Sequence, residues 1–93
     1  MASIKDLKKD IHFLAYELAS ETMFKMVLHS NLNGDTLNQI VLDGVALRDE
    51  LIRRSNHRDA KNNPALVKEY YRNLRKEMMS GYNKLFEQLD ELK

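Results

Sequence analysis

The chain has no cysteine, one proline and three glycines in 93 residues. Without cysteine there is no disulfide, no thiolate metal site and no thiol nucleophile. That composition fits a reducing compartment, and a cytoplasmic location is the expectation. No apolar run approaches the roughly 18–20 residues of a membrane span, and Met1 to Asp6 leads directly into charged amphipathic sequence, so neither a membrane anchor nor a signal peptide is expected. The glycines, at 34, 44 and 81, are isolated, which excludes a glycine-rich phosphate loop. Charge of one sign is also lacking. Fifteen basic and fourteen acidic side chains leave a net +1, so partners cannot be read from net charge.

What the sequence has in abundance is helical periodicity. The single proline, Pro64, follows Asn63, a capping residue before a proline at the first helical position. From there Tyr71, Leu74, Met78, Tyr82, Leu85, Leu89 and Leu92 recur at spacings of three and four, one face of a long helix. Near the N-terminus Ile4, Leu7, Ile11, Leu14 and Leu18 do the same, with Ala15 beside them, a lysine-rich back at Lys5, Lys8 and Lys9, and a weak capping box at Ser3 and Asp6. A middle stripe of Leu37, Ile40, Leu47 and Leu51 has Val41 and Gly44 on its flank. Asn33-Gly34 breaks the first helix from the second, with Asp35 as the expected cap. Residues 56–63 form a polar second break. Nothing reads as a strand. The expectation is one domain over 1–93: an all-α, elongated, up-down-up antiparallel three-helix bundle with helices at about 4–29, 36–55 and 64–92. Gly44 and Gly81 mark candidate close helix crossings.

Charge is unevenly placed. Residues 53–76 carry eight basic and two acidic side chains, against net −3 for 1–52 and −2 for 77–93. In an up-down-up bundle this makes a rod with a basic end and an acidic end. The candidate patch for an anionic partner is Arg53, Arg54, Arg58, Lys61, Lys68, Tyr70, Arg72, Arg75 and Lys76, where the Tyr70 ring offers a stacking face. The plainer account is a solvated surface laced by pairs such as Asp49–Arg53, Glu50–Arg54 and Glu21–Lys25.

Catalytic patterns are not found. His12, His29 and His57 are far apart, and neither Glu-x-x-His nor His-Glu-x-x-His occurs, so no metal or other cofactor is expected. Ser20, Ser55 and Ser80 have no nucleophile motif around them. The chain resembles the small chorismate mutases in length and helix count only; their first helix supplies an arginine, and this one has none.

The strongest signal is a surplus of apolar residues toward the first turn. Met23-Phe24-Lys25-Met26-Val27-Leu28 is apolar almost all round, more than one interface of a monomer needs. The candidate self-association surface is Met23, Phe24, Val27, Leu28, Leu42, Val45 and Phe86. The expectation is a non-enzymatic helical interaction module that forms a homodimer and docks a protein partner. Nucleic-acid binding by the basic end is the alternative.

Overall fold

A computed structural model describes residues 4–56 and 63–92. The cap expected at Ser3, the loop residue His57 and the patch residues Arg58 and Lys61 lie outside the described residues. Three helices run α1 Ile4–Leu28, α2 Gly34–Ser55 and α3 Pro64–Glu91, and no strand occurs among the described residues. This is the expected all-α three-helix bundle, with helix ends within two residues of the periodicity reading. Its extents are 54 × 20 × 18 Å. The radius of gyration is 15.5 Å, against about 12 Å for a compact chain of this length. The molecule is a rod.

Each stripe meets the others along one axial core. Leu7, Ile11 and Leu18 come from α1; Leu37, Ile40 and Leu51 from α2; Leu74, Met78, Tyr82, Leu85 and Leu89 from α3. Two polar residues extend the same three-four spacing. Thr22 and Ser55 are buried, and their hydroxyls donate to the Leu18 and Ile52 carbonyls at 2.7 Å each, so neither leaves an unpaired polar group.

Both interior glycines are crossing points. A Cβ on Gly44 would lie 2.6 Å from Leu18 Cδ2, and one on Gly81 would lie 2.7 Å from Leu47 Cδ2. The leucine of the neighbouring helix occupies the space that a side chain would take.

The helix starts hold one confirmation and one correction. Asn63 caps α3 as expected, its side chain accepting from Ala65 and Leu66 N–H with Pro64 at the first position. For α2 the cap is Asn33 rather than Asp35: the Asn33 Oδ1 accepts from the Asp35 N–H at 2.9 Å. Asp35 sits inside the first turn, where a carboxylate still suits the helix dipole.

The anticipated ion pairs on single helices do not form. Arg53 reaches back to Glu50 instead of Asp49, Arg54 pairs with Glu77 on α3 instead of Glu50, and Lys25 turns from Glu21 to the Leu89 carbonyl. Partners on a neighbouring helix compete with those one turn away, and spacing along one helix cannot rank them. Among the described residues no helix is long and apolar enough to cross a membrane.

Candidate interaction surfaces

At the basic end, α1 starts, α2 stops and α3 starts. The end is stitched by Lys8 donating to the Asn56 side-chain oxygen and by Arg75 pairing with Asp10 at 2.9 Å. A helix leaves its last four carbonyls without partners in the helix itself. Here all four at the end of α2 are met. Ile52 O accepts from the Ser55 hydroxyl, Arg53 O from the Asn56 N–H, Arg54 O from the Tyr70 hydroxyl at 2.6 Å, and Ser55 O from the Tyr71 hydroxyl at 2.9 Å. The two tyrosine rings meet edge to face with centroids 5.3 Å apart. Tyr70 is half-buried, and its hydroxyl caps the end of α2.

The cations of the patch divide into two sets. Arg53, Arg54 and Arg75 hold carboxylates. The Arg53 guanidinium holds the exposed Glu50 carboxyl below its usual range, and Glu50 raises Arg53 in return; Glu77 does the same to Arg54. Lys68, Arg72 and Lys76 are exposed, and no ion pair joins them among the described residues. At i, i+4 and i+8 they form one row on the outside of α3.

The apolar surplus lies chiefly on α1. Met23, Phe24, Val27 and Leu28 are exposed, Val27 to 81%. The same face extends further back than the sequence reading placed it. Phe13 and Tyr16, 60% and 70% exposed, stand on the outer face of α1 that Lys5 and Lys9 occupy nearer the N-terminus. At about 100° per residue, Phe13, Tyr16, Ser20, Met23 and Val27 fall within an arc of about 80° that lies opposite Leu7, Ile11 and Leu18. Their spacing is 3, 4, 3, 4. Helix α1 thus carries two apolar stripes, one in the core and one in solvent. The spacing of the outer stripe is present in the sequence, but the core stripe on the same helix already accounts for most of the apolar pattern.

The other candidate self-association residues lie off the α1 stripe. Leu42 is exposed, but on the outer face of α2. Val45 and Phe86 are half-buried, and Phe86 packs against the core.

Beside the α1 stripe, toward α3, runs an open groove of about 560 Å³ bordered by Ser20, Phe24 and Leu28 with Leu89 and Asp90 opposite. Lys25 crosses its floor: its Nζ donates to the Leu89 carbonyl at 2.6 Å. The last turn of α3 has no basic residue of its own, so this ammonium from α1 supplies the cation that the C-terminal dipole favours.

His12 and His29 are exposed. Among the described residues, no three acidic or histidine side chains come together as metal ligands. No protein-family model matches the chain, and no curated protein or solved structure matches it significantly.

Proposed function

We propose that this chain is a non-catalytic helical interaction module that associates with itself through the outer face of α1. The observation that carries this reading is the second stripe, Phe13, Tyr16, Met23, Phe24 and Val27, all exposed on one side of one helix. Soluble monomers rarely leave contiguous apolar patches larger than a few hundred Å² in water. The absence of cysteine fits a cytoplasmic setting for such a module. Light scattering coupled to size exclusion tests the reading. A mass near twice 10.9 kDa at micromolar concentration is expected, and a clean monomer overturns it.

A second reading rests on Lys68, Arg72 and Lys76, the three cations of the basic patch that no ion pair joins among the described residues. They would hold the phosphates of a nucleic acid. Retention of RNA or DNA that weakens with salt, and that is lost when all three become glutamine, would support it. No retention by the wild type at low salt removes it.

A further inference from the structure

Self-association through α1, on which this inference rests, leaves two orientations for a second copy, and charge separates them. The level of Tyr16, Val45 and Gly81 divides the rod in two. Among the described residues one half carries ten basic and six acidic side chains, and the other carries two basic and seven acidic. Two copies side by side with like ends together place +4 against +4 and −5 against −5. Reversing one copy places each basic half against an acidic half.

The stripe fits the reversed alignment that the charges favour. Ser20 is its midpoint, seven residues from both Phe13 and Val27, and is the one small side chain in it. Two α1 helices crossing antiparallel at Ser20 set Phe13 level with Val27 of the other copy and Tyr16 level with Met23 and Phe24. A small residue at a crossing lets two helices approach closely while large residues interdigitate on either side. The groove lies on the same flank of α1 as Phe24 and Leu28, the flank toward which Phe13 also leans. In the reversed alignment the second copy's Phe13 therefore comes to the groove edge. Lys5 and Lys9 continue the line of the stripe beyond Phe13, and reversal carries them over the turn that bears Asp35.

We infer that the outer face of α1 is covered by a second copy of this chain, laid antiparallel, with α1 on α1 about a two-fold axis beside Ser20. Such an interface is self-complementary: both grooves and both Phe13 side chains are used.

The lack of cysteine makes the test unambiguous, because each engineered thiol is unique. Disulfides need Cα separations no greater than about 7 Å. Ser20→Cys is expected to give a disulfide-linked dimer with diamide. Phe13→Cys and Val27→Cys are each expected to stay unlinked alone and to form the mixed dimer when combined. Phe13→Ala is expected to weaken dimerisation at least tenfold with the circular dichroism unchanged, whereas Met79→Ala, at an exposed position on α3, leaves it intact. A dimer by light scattering in which Phe13→Cys and Val27→Cys each self-link, or in which Ser20→Cys does not, overturns the antiparallel arrangement and leaves self-association standing. A wild-type monomer with no linkage at any of the three positions overturns both.

Discussion

The Tyr82 hydroxyl donates to the Gly44 carbonyl oxygen at 2.9 Å inside the core, with Tyr82 only 1% exposed. The bond joins α3 to α2 at the level where Leu18 of α1 packs against Gly44. A buried tyrosine needs a partner for its hydroxyl, and a helical carbonyl has a second lone pair to give. The missing side chain at Gly44 admits Leu18, and the carbonyl of the same residue anchors Tyr82. All three helices meet at this one residue.

Tyr82→Phe keeps the ring and removes only the donor. The Gly44 carbonyl keeps its place in α2, so nothing charged is stranded. The expected loss is about 1 kcal/mol of unfolding free energy, the usual net worth of one neutral hydrogen bond. Urea denaturation measures it; an unchanged midpoint would show that the bond contributes nothing.

Alkaline pH acts on the same group. Burial pushes the Tyr82 hydroxyl from its ordinary 10.0 up to about 12. Its neutral form is favoured in the folded state, so the folded chain holds a proton that the unfolded chain releases. The contribution is full below about pH 10 and is lost as pH rises through about 12. Comparing wild type with Tyr82→Phe isolates it, since Tyr16, Tyr70 and Tyr71 are common to both. The difference in stability between them is expected to shrink and then reverse across that window. A constant difference would mean that Tyr82 titrates normally.

The two interior glycines are expected to respond in opposite directions to alanine. Both replacements gain about 1 kcal/mol of helix propensity. At Gly44 the new methyl meets Leu18, which is 1% exposed and has no room to turn. Overpacking of that kind costs typically about 1–3 kcal/mol, so Gly44→Ala is expected to be net destabilising by on the order of 1 kcal/mol. At Gly81 the methyl meets Leu47, which is half-buried and can swing outward. Gly81→Ala is expected to be neutral or stabilising by up to about 0.5 kcal/mol once the propensity gain is counted. Thermal or urea unfolding of the pair decides it, and equal losses at both sites would contradict the packing argument.

The helices and their core faces were legible because each depends only on spacing within one helix. The start of α3 at Asn63-Pro64 is likewise local, since capping side chain and proline act within one turn. What was not legible depends on two helices at once. Tyr70 and Tyr71 are adjacent aromatics in a basic stretch, and only the placement of α2 shows that their hydroxyls meet its last carbonyls. Arg54 has Glu50 one turn away and Glu77 on another helix, and it takes Glu77. The choice of Asn33 over Asp35 was a contest between two good caps two residues apart. Phe13 and Tyr16 were missed for a different reason. Two apolar stripes share α1, and the core stripe accounted for enough of the pattern to hide the other.

Lys25 separates a local account of charge from a tertiary one. Spacing along α1 pairs it with Glu21; in the fold its Nζ donates to the Leu89 carbonyl near the end of α3. That turn also holds Glu87, Asp90 and Glu91, whose charges oppose the helix dipole. Removing the ammonium with Lys25→Met keeps the alkyl stem packed and leaves the α3 terminus without its cation. The expected cost is about 0.5–1 kcal/mol at low ionic strength, falling as salt is added. Glu21→Gln is the control. If Lys25 stabilised through its own helix, losing Glu21 would cost as much as losing Lys25. With the contact to Leu89, Glu21→Gln is expected to change the urea midpoint little, and the Lys25→Met loss is expected to persist in the double variant. A Lys25→Met loss that vanishes once Glu21 is glutamine would assign the charge back to α1.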